Sequence, residues 1–282
     1  MFELLADHGG GFVGLSLLLG LLLGSFLNVV IHRLPRMLER EWKAQCAWLD
    51  GKELAPSASY DLVRPRSACP HCGHPIAWYE NVPVASWLYL RGKCSACAAP
   101  ISFRYPLVEA LTGVLFGLAA WRWGFDPAVL AIWLLLASLV ALTFIDLDTQ
   151  LLPDNITLPL AWAGLLVNLE GRFVPLDQAV MGAVVGYLSL WSIYHLFRLL
   201  TGKEGMGFGD FKLLAALGAW MGWQMLLPIV LCASLAGALF GIGLVLFAGH
   251  DRARPLPFGP WLALGGVVTL FWGETLVKLW LG

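Results

Sequence analysis

"KEGMGFGDFKLLAALGAW", residues 203–220, puts a carboxylate, Asp210, at the threshold of a hydrocarbon run, behind glycines at 205, 207 and 209. An acid so placed is either a helix cap on a soluble core or a polar group at the edge of a membrane. Composition decides between them. The 282-residue chain is 59% hydrophobic and 13% charged, with a mean hydropathy of +0.73. A soluble domain carries about 25% charged residues. Several apolar runs approach the ~20 residues that cross a bilayer as a helix. The sequence therefore predicts an all-α polytopic protein with the lipid bilayer as its solvent. Its net charge of −1 says little about other partners.

The runs divide into about eight transmembrane helices, at 12–31, 107–121, 128–145, 156–169, 179–199, 211–222, 226–247 and 259–281. Residues 211–248 are too long for one crossing, and Gly222-Trp223-Gln224 followed by Pro228 supplies a turn with an interfacial aromatic. No internal repeat or low-complexity tract breaks the pattern. Three parts follow: a first transmembrane helix (1–31), a polar loop (32–105) and a seven-helix membrane domain (106–282). Segment 32–106 holds ten of the 18 Lys and Arg residues, and only Arg122, Arg172 and Lys278 fall on the opposite side of eight spans. Positive charge stays inside. Loop 32–105 is then cytoplasmic and the N-terminus periplasmic. The first apolar run has no basic n-region and no small-residue cleavage site, so it reads as a retained helix.

Within the loop, Cys69-x2-Cys72 and Cys94-x2-Cys97 stand 21 residues apart. Two knuckles of that form present four thiolates to one tetrahedral zinc. Disulfides compete, but a reducing cytoplasm disfavours them. With four cysteines available, His71 and His74 are expected to face solvent, and Cys46 and Cys232 lack partner spacing. A closed four-thiolate site folds a loop and performs no chemistry. Zinc ribbons also bind nucleic acid, but here basic residues are mixed with acids and flank membrane helices, so no nucleic-acid partner is expected.

"LTFIDLDTQLLPD" places Asp146 at the cytoplasmic end of the third helix, and Asp210 opens the sixth. They are 64 residues apart, yet the topology returns both to one face at similar depth. Acids in a spanning segment are costly and usually line a cavity or pathway. A helix end pointing at water would explain either acid alone. Gly205, Gly207 and Gly209 suit close approach by an extended chain or, equally, a flexible turn. Asp148 and Asp154 read as loop acids, and Lys212 as an interfacial lysine facing away from Asp210.

"GFGD" at 207–210 has the form of the GxGD signature of intramembrane aspartyl proteases. With "GSFLNVVIHRLP" at 24–35, the tetracysteine loop, "RYPLVEALTG" at 104–113 and "DLDTQLLPD" at 146–154, the chain strongly resembles the bacterial type IV prepilin leader peptidases. The resemblance covers nearly the whole chain, with the motifs in order. It implies a bifunctional enzyme of the inner membrane. Such an enzyme cleaves the leader of type IV prepilins and type II secretion pseudopilins on the cytoplasmic side. It then N-methylates the new N-terminal residue with S-adenosylmethionine. The family's two catalytic aspartates fall on Asp146 and Asp210. Paired carboxyls share a proton, so one activates water while the other protonates the scissile carbonyl.

The methyl-transfer site is harder to place, because no glycine-rich fingerprint follows a predicted strand. Gly92, in "RGKC", is the candidate on the cofactor side, at a turn that a side chain would strain. Glu109, Asn28 and His32 are polar groups near the cytoplasmic ends of the first two helices, and each suits a structural role. Two other function classes compete. An ion- or proton-coupled transporter would use the acid pair as a relay, with midplane acids and inverted repeats. A zinc-ribbon scaffold would tolerate replacement of the acids.

Overall fold

The computed structural model describes residues 9–51, 59–247 and 256–281. The expected periplasmic N-terminus, residues 1–8, and Lys52, Arg252 and Arg254 of the charge count lie outside the described residues. The described chain is helical, and each of the eight expected runs has its helix: α1 (Gly9–Leu49), α3 (Arg104–Trp123), α4 (Ala128–Thr149), α5 (Asp154–Val167), α6 (Leu176–Thr201), α7 (Phe208–Met221), α8 (Leu226–Phe247) and α9 (Gly259–Leu281). A five-residue helix, α2 (Ala85–Tyr89), lies in the loop. Pairing between extended segments among the described residues is limited to two isolated bridges, Ala68 with Pro75 and Lys93 with Pro100. Among the described residues, five spans are long and apolar enough to cross a membrane: Gly10–Leu49, Ala128–Thr149, Leu176–Thr201, Trp223–Leu246 and Gly259–Lys278.

Two boundaries differ from expectation in ways that matter. Helix α1 does not stop at residue 31 but continues through Pro35 to Leu49. Polarity ends a membrane span, not a helix. Beyond the apolar stretch, Glu39 and Lys43 pair at helical spacing, 2.6 Å apart. Helix α7 begins at Phe208 rather than 211, so Asp210 lies within its first turn.

The chain forms two compact units, residues 1–141 and 142–282. In the first, α1 packs along α3 through small residues. A Cβ on Gly20 would lie 2.7 Å from Gly113 Cα, and one on Gly24 would lie 2.7 Å from Glu109 Cα. Lipid gives apolar helices no hydrophobic reason to associate, so they gain by backbone contact at small residues spaced four apart. Gly20 and Gly24 have that spacing, as do Gly113 and Gly117. Beside this crossing, Phe12, Ala120 and Val129 form a buried cluster, and Trp133 stacks on Phe116 at 5.1 Å.

In the second unit the short α7 is central. Ten of its 14 residues are buried, which suits a helix that is apolar on every side. Gly182 on α6 meets the backbone of Gly218, and a Cβ on Gly186 would lie 2.7 Å from Leu214 O. From the other flank, Trp220 Nε1 donates to Leu160 O of α5 at 2.8 Å. Asn168, fully buried, closes the far end. Its Nδ2 donates to Ala219 O (2.9 Å) and Trp220 O (3.1 Å), and its Oδ1 accepts from Phe173 N (3.0 Å) and Val174 N (3.2 Å).

Candidate functional site

Asp146 sits in the last turn of α4, where Gln150 N closes the helix on Asp146 O at 2.9 Å. Gln150 then takes a left-handed φ of 53°, a conformation uncommon outside glycine. That break turns the chain back so that Leu152 reaches the start of α7. A Cβ on Gly209 would lie 2.7 Å from Leu152 Cβ, and one on Gly259 would lie 3.0 Å from Leu152 Cδ2. Leu152 therefore packs between the N-termini of α7 and α9.

Each acid adjoins one of the glycines on which this leucine packs. Asp146, 5% exposed, accepts a hydrogen bond at Oδ2 from Gly259 N at 3.0 Å. Asp210, 6% exposed, follows Gly209, and its Oδ2 lies beside Gly207, within 3.6 Å of where a Cβ would stand. The charge of Asp146 is felt at Asp210. Asp210 Oδ1 is buried and has no hydrogen-bond partner among the described residues. Two buried carboxyls, one of them with an open oxygen, form an arrangement suited to passing protons to and from a bound polar group.

The glycine tract has a different basis from backbone freedom. None of Gly205, Gly207 and Gly209 is left-handed. Gly209 is small because of Leu152, and Gly205 because of the Phe197 ring, 2.9 Å from its would-be Cβ. Gly207 alone is open, extended at φ −81° and ψ 150°.

The other acids lie apart from the pair. Asp148 is exposed. Asp154 opens α5 and binds Lys212 Nζ with both oxygens, at 2.6 and 2.7 Å. Sequence gave no sign of that pair, because its members are 58 residues apart. Leu152 and Gly259 were missed too. One is apolar and the other offers only backbone, so neither carries a chemical signature. The left-handed Gln150 leaves none either.

In the first unit the four cysteines converge. The Sγ atoms of Cys69, Cys72, Cys94 and Cys97 lie within 4.8 Å of one another, and Cys69 Sγ to Cys97 Sγ is 3.9 Å. Four sulfurs about 2.3 Å from one tetrahedral ion stand about 3.8 Å apart, so the set fits a metal. Each knuckle turns its amides onto its first sulfur. The amides of Cys72 and His71 draw the Cys69 thiol down to about 7, and those of Cys97 and Ala96 lower Cys94. Against the pull of the His74 amide, burial and the other three sulfurs push Cys72 up to about 12, so in the first knuckle only Cys69 is lowered. Lowered thiols favour the thiolate that a metal requires. His74 is not among the converging ligand atoms, and its Nε2 lies 3.3 Å from Glu80 Oε2. Glu80 also accepts from the Ser95 side chain in the other knuckle, cross-bracing the two.

Gly92 has a φ of +68°, and a Cβ there would lie 2.9 Å from the Trp87 ring. Its carbonyl accepts from Ile101 N at 2.7 Å, so it shapes the turn beneath the second knuckle. Glu109 is buried, and its Oε2 accepts from Val84 N at 2.7 Å. Val84, β-branched, is held at φ 59°, where Ala85 N reaches Pro83 O at 2.5 Å. That is a strained three-residue turn. Asn28 Nδ2 donates to Tyr105 O at 3.1 Å, and His32 is exposed. Glu109 and Asn28 thus hold backbone around the loop.

Comparison with known proteins adds an independent line. Residues 18–123 match the family model of the bacterial peptidase A24 N-terminal domain, and residues 133–242 that of the type IV leader peptidase family. A prepilin leader peptidase/N-methyltransferase of Aeromonas hydrophila is 55% identical over 276 residues, covering 96% of this chain and 94% of its own length. Its namesake in Pseudomonas aeruginosa is 52% identical over 282 residues, covering 100% and 97%. One in Burkholderia pseudomallei is 52% identical over 268 residues, covering 94% and 86%. No solved structure matches the chain.

Proposed function

The chain belongs to the type IV leader peptidase family, and from that premise we propose that Asp146 and Asp210 are the catalytic pair of a prepilin peptidase that also N-methylates its product. The enzyme cleaves the leader from prepilins, and type II secretion pseudopilins are proposed as further substrates. S-adenosylmethionine is the proposed methyl donor. The transporter alternative falls away, because the family and the relatives are peptidases.

The observation that carries the site assignment is the burial of two interacting acids, each beside a glycine on which Leu152 packs. Between them they hold one transferable proton. A water molecule attacks the scissile carbonyl as one carboxylate removes its proton and the other carboxyl protonates the carbonyl oxygen. Neither step needs a metal. The metal belongs to the loop, where the convergence of four sulfurs within 4.8 Å of one another favours zinc as a structural ion bound by Cys69, Cys72, Cys94 and Cys97. Gly92 stays the candidate on the methyl-transfer side, acting through the shape of the turn that seats Trp87. The same reading keeps the three-part division, with 32–105 cytoplasmic in the inner membrane and the leader cleaved on that side.

The test is purified protein incubated with a prepilin, with and without S-adenosylmethionine, reading product mass. Cleavage in both and an added ~14 Da (one methyl on the new amine) only with the donor is expected. An intact prepilin in both would overturn the reading.

A further inference from the structure

The first turn of α9 brings a backbone donor to the acid pair. Phe258 O accepts from Trp261 N and Leu262 N, both at 3.1 Å, so Gly259 opens the helix. Its own N–H is one of the donors that a helix start leaves without an internal partner. That N–H is given to Asp146 Oδ2 at 3.0 Å, in a buried setting. Asp146 thus receives a directed hydrogen bond together with the positive end of a 23-residue helix. Asp210 has a backbone donor of its own in the Gly207 amide, but its Oδ1, equally buried, receives no hydrogen bond among the described residues. Two acids that look equivalent in sequence are unequal in their surroundings.

Resting on the assignment of Asp146 and Asp210 as the peptidase pair, we propose that Gly259 is a positioning residue whose amide fixes Asp146 as the carboxylate that activates water, leaving Asp210 to act as the acid through Oδ1. In the first step the water oxygen bonds to the scissile carbonyl carbon. One water proton passes to Asp146, and the Asp210 proton passes to the carbonyl oxygen. In the second step the C–N bond breaks, the leaving amine takes the proton from Asp146, and a hydroxyl of the intermediate returns one to Asp210. Both acids end as they began.

The need for glycine follows from the same geometry. A Cβ at residue 259 would lie 2.7 Å from Asp146 Oδ2, and 3.0 and 3.1 Å from Leu152 Cδ2 and Cδ1. Something must move, and the carboxylate is the free end of a side chain. Gly259 also lies beyond residues 133–242, where the peptidase family model matches.

Steady-state cleavage of a prepilin by Gly259→Ala, by Leu152→Ala and by the Leu152→Ala/Gly259→Ala double variant tests this. Gly259→Ala is expected to lower kcat by about 10²-fold, as a misplaced catalytic group does, with KM unchanged. Removing the Leu152 methyls should not restore it, because the clash with Asp146 remains. Unchanged kcat in Gly259→Ala would overturn the proposal. So would recovery in the double variant, which would trace the loss to crowding of Leu152, and so would loss of prepilin binding, which would give Gly259 to the fold. Asp146→Asn and Asp210→Asn run alongside. Cleavage surviving in either would sink the acid-pair assignment itself, whereas loss in both with full activity in Gly259→Ala would sink only the role of Gly259.

Discussion

In residues 1–141 a glycine-lined crossing of α1 and α3 supports a loop, and in residues 142–282 a similar crossing of α6 and α7 supports an acid. The buried polar groups of the first unit are engaged. Glu109 holds Val84 N, and Arg33 donates to Asp61 O and Pro65 O at 2.9 and 2.7 Å. In the second unit Asn168 is saturated, while Asp210 keeps an oxygen without a partner among the described residues. A buried polar atom left unpaired costs about 1–3 kcal/mol, an expense that stability alone gives no reason to keep. One packing device therefore serves two settings. Thr269 Oγ1 on α9 is buried without a partner among the described residues as well, so the open oxygen of Asp210 stands out because it belongs to a carboxyl whose neighbour is a second buried acid.

The comparison predicts that the two activities separate by unit. Asp146→Asn and Asp210→Asn should each lower cleavage by more than ~10²-fold, the loss of a general acid–base partner. Methylation of a pilin supplied already cleaved should persist in both. Mass analysis of both products checks this, and retained cleavage in either variant would break the contrast.

A smaller but opposite effect belongs to the loop. Gly92→Ser places a side chain at φ +68° against Trp87. It should lose methylation while keeping cleavage, read from the mass of the processed N-terminus. If both activities fall together, the loop supports the peptidase as well.

Metal content sharpens the same line. Wild-type protein should carry about one zinc per chain, and Cys94→Ser with Cys97→Ser should carry almost none by elemental analysis. Some cleavage should remain, since the acids need no metal.

Packing and surface charge have the smallest effects. Gly218→Ala puts a methyl against the Gly182 backbone, and overpacking of this kind costs about 1–3 kcal/mol, visible as a lower Tm in detergent. Asp154→Asn breaks an ion pair whose members are half and one-quarter exposed. Such pairs contribute at most about 1 kcal/mol, so stability should hardly change.

Long apolar runs fix where helices lie, and all eight were legible on that ground. The end of α1 was not, because Arg36, Glu39, Arg40 and Lys43 stop a span without stopping a helix. The convergence of the cysteines was legible through spacing, while topology and motif singled out Asp146 and Asp210, which the structure buries. What surrounds the acids was hidden for a physical reason. Gly259 contributes an amide that every residue but proline has, and Leu152 contributes bulk that any apolar run contains. The glycine spacings of the two crossings are written in the sequence, but their meaning depends on a partner helix that a linear pattern does not identify.

The length of α1 has a geometric consequence. Its 41 residues rise about 60 Å at 1.5 Å each, twice the ~30 Å of bilayer hydrocarbon. The half beyond residue 31 is a post, and Tyr60 is clasped to its lower part by Arg40, 4.1 Å above the ring. A post of helix sets height by counting. Four residues inserted between Lys43 and Leu49 would raise its tip by about 6 Å and rotate it by about 40°, leaving everything clasped below untouched.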